Sequence, residues 1–322
     1  MNVQKPKTNL MKKLILLLFL GLIQNMYIQA QQDPEFTQYM YNLSIVNPAY
    51  ATGDIGIVNS GLLYRSQWVG AVGSPTSATA FIHAPLNEKI EIGLSITDDE
   101  IGDGALNENN LTTNFAYKLQ LDKKTYLSLG LKTGVTFFNT QFNNFQLNSG
   151  NSASDPVFAA NINSTFLNIG AGAFLYGERF YLGLSTPNFL SNKHLVEENA
   201  ISAFGSENLH AFFTGGYIFE VSETLDFKPS FLVKGVQGAP LSVDLNANVR
   251  YLENLEAGLS YRLDDSISVL VNYGITHNLR IGYAYDYTTS NLGDFNSGTH
   301  EVFLLFDLNF SGNKNYSSPR FF

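Results

Sequence analysis

From residue 55 to residue 310 the chain alternates apolar and polar residues with period two, breaks off, and resumes many times over. Such a pattern fixes extended strands with one greasy and one wet face, because successive side chains of a strand point to opposite sides. The clearest run is Ile90-Glu91-Ile92-Gly93-Leu94-Ser95-Ile96-Thr97, and Leu241 to Tyr251 and Leu279 to Tyr287 repeat it. Fourteen runs are legible, at 55–68, 76–84, 89–98, 111–121, 125–138, 164–177, 179–186, 208–221, 224–235, 241–251, 254–263, 267–276, 278–288 and 299–310. Each is near the 9–11 residues with which a tilted strand crosses a bilayer, and the number is even, as in single-chain bacterial barrels.

The connections divide by parity. After even-numbered strands they are short, as at 85–88, 122–124 and 222–223. After odd-numbered strands several are long and rich in Asn, Ser, Gly and Asp, at 99–110, 139–163, 187–207 and 289–298. Short periplasmic turns and longer outer loops give this asymmetry in a membrane barrel. A soluble β-sandwich also alternates, but nothing in it confines long loops to one end. A soluble closed barrel would turn its bulky apolar face inward, and fourteen strands enclose too wide a lumen for that face to fill. The expectation is therefore an all-β, transmembrane antiparallel barrel of about 14 strands. Lipid meets its apolar face, and the lumen, hydrated or plugged, takes Arg65, Lys132, Lys228, Lys234, Arg250, Arg262, Arg280, Asp226, Asp244, Glu256 and Asp286. Tyr64, Trp68, Phe137, Tyr217, Phe219, Tyr251, Tyr261, Tyr285, Tyr287 and Phe310 stand near strand ends on the apolar side, where interfacial girdles belong.

Residues 1–30 read as a secretory signal peptide. Lys12 and Lys13 precede an apolar run at 14–23 that is too short to span a membrane, and Ala30 supplies the small residue at the cut. Met11 is an alternative start. The expected domains are then 1–30 signal peptide, 31–54 N-terminal segment, 55–310 barrel and 311–322 tail. With an even strand count both the N-terminal segment and the tail are expected on the periplasmic side of the outer membrane.

Composition narrows the function. Charged residues are 15% of the chain, where globular proteins carry about 25%. A net charge of −9 argues against nucleic acid. The absence of cysteine removes thiol catalysis, zinc-thiolate sites, disulfides and a lipobox-type lipid anchor. His83, His194, His210, His277 and His300 lack metal-ligand spacing, and there is no G-x-S-x-G elbow. His83 and His210 fall on the lumen side, where a pore-lining role is the simpler reading. Asp98, Asp99, Glu100 and Asp103 make an acidic stretch that could hold Ca²⁺ but lacks a regular ligand pattern, so a solvated outer loop is the simpler reading. No catalytic, cofactor or metal residue is nominated.

Two segments fall outside the alternation. Residues 31–52 carry Phe36, Tyr39, Met40, Tyr41, Leu43, Ile45, Val46 and Tyr50, too much apolar surface for a free solvated tail, and they plug the lumen or dock a partner. The chain ends Ser317-Ser318-Pro319-Arg320-Phe321-Phe322, where an Arg and two aromatics suit a partner anchor or packing against the barrel rim.

These segments carry a family resemblance. The run Gln32-Asp33-Pro34-Glu35-Phe36-Thr37-Gln38-Tyr39-Met40-Tyr41-Asn42, then Val46-Asn47-Pro48-Ala49-Tyr50-Ala51, Tyr64-Arg65-Ser66-Gln67-Trp68-Val69-Gly70, His83-Ala84-Pro85-Leu86 and the Ser318-Pro319-Arg320-Phe321-Phe322 ending resemble the PorP/SprF family of Bacteroidota. The resemblance implies an outer-membrane, non-enzymatic component of type IX secretion and gliding motility, without cofactor. It implies as partners the periplasmic ring lipoprotein GldK/PorK with GldN/PorN, and the C-terminal domain of a large secreted adhesin. The partner-binding residues expected on this basis are Asp33, Pro34, Phe36, Gln38, Tyr39, Asn47, Pro48, Tyr50, Pro319, Arg320, Phe321 and Phe322. The alternative class is an outer-membrane transport channel, porin-like or for hydrophobic solutes. An outer-membrane hydrolase is a third, with no nucleophile and base to nominate.

Overall fold

A computed structural model of the chain describes residues 35–51, 53–142, 146–147, 150–151, 161–190, 209–236 and 239–310. Fourteen strands close into one barrel: β1 (Ile57–Ser66), β2 (Thr76–Pro85), β3 (Ile90–Ile101), β4 (Leu106–Gln120), β5 (Thr125–Thr140), β6 (Asn163–Gly177), β7 (Phe180–Thr186), β8 (His210–Tyr217, continued by Phe219–Ser222), β9 (Leu225–Val236), β10 (Ser242–Tyr251), β11 (Leu255–Arg262), β12 (Ser266–Thr276), β13 (Leu279–Thr288) and β14 (Thr299–Asn309). Neighbours in sequence pair antiparallel throughout. Closure comes from β1 against β14, with Ile57 opposite Asn309 and Ser66 opposite His300. No sheet edge is left open in this barrel, which a bilayer demands because lipid cannot satisfy backbone N–H and C=O groups. A two-residue hairpin, Gln146–Leu147 with Gly150–Asn151, lies apart from it.

The alternation settles which face is which. In β12, Ser266, Ser268, Leu270 and Asn272 are buried inward, while Ile267, Val269, Val271 and Tyr273 stand exposed outward. Leu129, Leu131, Leu167, Leu184, Leu245 and Leu259 continue the outer band around the barrel. An apolar surface of that extent is far beyond what a soluble monomer shows to water. Among the described residues no helix is long and apolar enough to cross a membrane, so the strands do the crossing.

Turns between β2 and β3, β4 and β5, β6 and β7, β8 and β9, β10 and β11, and β12 and β13 are tight and share one end, here the short-turn end. The longer connections share the other, although of 139–163 and 187–207 only 139–142, 146–147, 150–151, 161–163 and 187–190 are described. One expected long loop is shorter. Residues 99–110 are mostly strand, because β3 and β4 run on to Ile101 and from Leu106, with Asp99 opposite Glu108. A hairpin that projects beyond hydrocarbon is wetted on both faces, so its polar sequence reads as loop although its ladder is complete. Asp98, Asp99 and Glu100 therefore alternate across the sheet and do not converge on a cation. Ser77 Oγ donates to Asp99, and no group of three or more His or carboxylate residues suited to a metal occurs among the described residues. Trp68, expected on β1, lies past its end in the long-loop connection at a left-handed φ of 48°. In β8 the ladder breaks at Ile218, which is buried and donates its N–H to Arg179 O at 2.7 Å.

Candidate functional site

The lumen is filled by the chain's own residues 35–51. Two short turns of helix, Tyr39–Tyr41 and Leu43–Val46, compact the segment, and Phe36, Tyr39, Met40, Tyr41, Leu43, Val46, Ala49 and Tyr50 are buried. Against them the wall offers inward-facing Leu63, Phe81, Phe174, Phe212, Leu232, Leu270 and Phe303. The interior is thus a mixed core, more apolar than a hydrated lumen: as expected for a lumen too wide for wall side chains alone, the N-terminal segment occupies the space that they cannot reach.

The backbone of this segment needs partners, since a plug lacks a sheet ladder of its own. The wall provides them level by level. Near the short-turn end, Gly53 N–H donates to Glu91 Oε2 at 3.0 Å and Tyr176 Oη donates to Ala51 O at 2.8 Å. Glu91 Oε1 lies 2.6 Å from His83 Nδ1, so His83 orients a plug-binding carboxylate. Above that, Asn47 folds its side-chain oxygen onto Ala49 N–H at 2.9 Å and its amide donates to Ala173 O at 3.1 Å. Gly130 and Gly172 face this turn. A Cβ on Gly130 would overlap the Pro48–Ala49 backbone, and one on Gly172 would overlap Asn47 Oδ1, so both positions need glycine for the close approach. Ser185 Oγ donates to Val46 O at 2.6 Å, and Asn114 Nδ2 donates to Ser44 O at 3.2 Å.

Charge concentrates in three places. Tyr41 Oη donates to Glu256 Oε1 at 2.8 Å, and Lys228 Nζ holds the other oxygen at 2.7 Å. Glu301 accepts the N–H groups of Thr37 and Gln38 at 2.9 and 2.8 Å. Arg65 bridges Glu301 at 3.0 Å and Asp286 at 2.9 Å and donates to Thr37 Oγ1 at 2.9 Å. Glu35 meets Lys234 Nζ at 2.6 Å and Arg262 Nη1 at 3.1 Å, and Arg262 also grips Asp244 at 2.7 Å. Burial pushes the Glu35 carboxyl up, but Arg262 and then Lys234 outweigh it and hold its pKa down to about 2. A cavity of about 110 Å³ remains between the plug and the wall, with Phe36, Tyr39, Ile45 and Val46 on one side and Phe212, Leu232, Thr112, Asn110 and Lys132 on the other.

Of the residues expected to bind partners, Phe36, Gln38, Tyr39, Asn47, Pro48 and Tyr50 are brought together, but inside the barrel and buried. Asp33, Pro34, Pro319, Arg320, Phe321 and Phe322 lie outside the described residues, as do the signal peptide and the cut after Ala30. Relative to the barrel's two ends, the described part of the N-terminal segment runs the length of the lumen. It starts at Glu35 among residues at the long-loop end and descends to β1 at the short-turn end, because the apolar side chains have a core to enter only within the lumen. Sequence reasoning passed over Glu35, Thr37 and Tyr41 as site residues. The signal available was a surplus of inward-facing charge that needed counterparts. His210 is buried on the lumen side, against Phe212 at 6.3 Å between ring centres, as expected for a wall residue.

A closed antiparallel barrel with a lipid-facing apolar band and a chain segment sealed into its lumen defines an outer-membrane β-barrel of the plugged kind. The model of the family described as type IX secretion system membrane protein PorP/SprF matches residues 28–306, and the chain belongs to that family. No curated protein matches in sequence. Among solved structures, a Pseudomonas aeruginosa FadL homologue is similar at 12% identity and a TM-score of 0.48, covering 88% of this chain and 96% of that one. The monoaromatic hydrocarbon channel TodX, as a ΔS2S3 mutant, is similar at 11% identity and a TM-score of 0.48, covering 84% and 94%. The Acinetobacter baumannii outer membrane protein Omp33 is similar at 9% identity and a TM-score of 0.45, covering 80% and 100%. The likeness is one of shape alone.

Proposed function

We propose that this protein is a non-enzymatic adaptor of the type IX secretion machinery: a barrel that anchors in the outer membrane and couples a large secreted adhesin to the periplasmic ring of GldK/PorK and GldN/PorN. The observation that carries this reading is the occupied lumen. A segment held by buried ion pairs, backbone hydrogen bonds and a glycine seat makes a stable stopper, and a stoppered barrel serves better as a fixed platform than as a pore. Strand β14 ends beside Gly56, whose carbonyl accepts Phe310 N–H at 2.7 Å, so the chain leaves the barrel for its tail at the short-turn end. That end faces the periplasm in bacterial barrels. Pro319, Arg320, Phe321 and Phe322 then supply the contact with the ring, and the long-loop end receives the adhesin's C-terminal domain.

The test compares the secreted proteins of cells carrying the full chain with those of cells carrying a chain that stops after Phe310. The truncated barrel is expected in the outer membrane, with one adhesin missing from the medium and surface. Unchanged secretion with the truncated barrel in place would remove the tail from the mechanism. Planar-bilayer recordings address the channel reading: the adaptor gives little conductance, whereas steady porin-like conductance of the intact mature protein favours transport.

A further inference from the structure

The N-terminal segment has a direction, and the barrel gives it a scale. Moving backwards from β1, Gly53 is tied to Glu91, the second residue of β3, at the short-turn end. Pro48 and Ala49 sit on Gly130 and Asn47 reaches Ala173, both in the barrel's lower middle. Thr37 and Gln38 are clasped by Glu301, two residues into β14, and by Arg65, one residue from the end of β1, both near the long-loop end. Glu35 is gripped by Lys234, two residues before the end of β9, and by Arg262, the last residue of β11. The segment therefore crosses the full depth of the lumen between Gly53 and Glu35.

From this we infer that the N-terminal segment is threaded outward through the barrel, so that the chain leaves the lumen at Glu35 on the outer face of the membrane. The Glu35 carboxylate is the fastener. Two cations on different strands hold it, so leaving that site would take a carboxylate from Lys234 in a poorly hydrated interior and leave Arg262 to Asp244 and Asp265. The two ends of the described chain, Glu35 and Phe310, then open on opposite faces of the membrane. This goes beyond the adaptor reading and holds equally for a channel.

The chain contains no cysteine, so single thiols report their side of the membrane without background. Three variants of the full chain, Gln32→Cys, Asp294→Cys in the exposed connection between β13 and β14, and Asn87→Cys in the exposed turn between β2 and β3, are treated in intact cells with a membrane-impermeant maleimide. Gln32→Cys is expected to label like Asp294→Cys, and Asn87→Cys only after the outer membrane is permeabilised. A Gln32→Cys thiol that follows Asn87→Cys overturns the inference. So does labelling of Asn87→Cys from outside with Asp294→Cys protected, since the barrel would then be inverted. To guard against a Gln32→Cys thiol shielded within the mouth, a second variant carries its cysteine on a short Gly/Ser spacer inserted after Gln31. Labelling of that thiol from outside supports the inference, and labelling only after permeabilisation overturns it.

Discussion

Tyr41 and Glu256, 215 residues apart in sequence, meet inside the barrel, where the tyrosine hydroxyl donates to Glu256 Oε1 at 2.8 Å and Lys228 takes the other oxygen. A carboxylate this deeply buried is tolerable only while both its charge and its lone pairs are satisfied. The plug is thus a structural ligand of the wall, and the wall's charges are arranged around it.

That arrangement ranks substitutions. Tyr41→Phe removes the hydrogen bond to the charged Glu256 and the ones its hydroxyl accepts from Asn272 and Asn248, while Asn248 Nδ2 at 3.1 Å from Glu256 Oε1 remains, so a loss of about 1.5–3 kcal/mol is expected. Lys228→Met leaves a buried carboxylate without its cation and should cost about 3–5 kcal/mol. Lys228→Met combined with Glu256→Gln should recover much of that loss. Urea unfolding in lipid vesicles checks the order, and a Lys228→Met variant no weaker than Tyr41→Phe would remove the ion pair from this account.

The glycine seat makes a prediction about closure. Gly130→Val forces a side chain into the Pro48–Ala49 backbone, where overpacking costs about 1–3 kcal/mol or displaces the segment outright. The variant should conduct ions in planar bilayers well above the intact protein. Gly235→Ala, where an added Cβ meets nothing closer than 3.4 Å, should not. A closed and fully stable Gly130→Val barrel would contradict a tight seat there.

Acid should loosen the outer fastener. The folded barrel holds the Glu35 carboxyl at a pKa of about 2, below its ordinary 4.5, so the group contributes stability above the ordinary value. That contribution fades as pH falls from about 4.5 to 2, because protonation then abolishes the pairing with Arg262 and Lys234. Thermal midpoints measured from neutral pH downward should fall less steeply in that window for Glu35→Gln than for the unmodified chain. Identical slopes would mean that Glu35 is not ion-paired in solution.

The lipid face is tested by charge. Leu259, exposed at mid-height on β11, faces hydrocarbon, and Leu259→Arg should destabilise the inserted barrel by about 2–4 kcal/mol. Asp294→Arg, in an exposed connection, should change stability by no more than about 0.5 kcal/mol. Equal effects would argue against a bilayer around β11.

The strands were readable because their signal is local. Ser266 to Tyr273 announce period two by themselves, and the bilayer rewards it identically all round the barrel. Reading failed where the rule changed. In the β3–β4 hairpin above the membrane, Asn107, Asn109 and Asn110 carry no apolar partners to mark the strand. Within 31–52 the apolar content was plain, but nothing local distinguished a plug from a docking arm. The expected site residues from Phe36 to Tyr50 were drawn from that segment, yet burial places them against the wall, so their neighbours could not be named from spacing.

The sequence by itself determined an exported-looking, cysteine-free chain of fourteen two-faced strands, which faces carry charge, and the family it resembles, because each of these is written in residues a few positions apart. Only the tertiary structure decided that the N-terminal segment runs the depth of the lumen, that Glu35 answers Lys234 across 199 residues, and that Glu301 clasps Thr37 across 264. Those pairings depend on strand register and on the closure of β14 against β1, and a distance along the chain carries no record of which walls a closed barrel brings face to face.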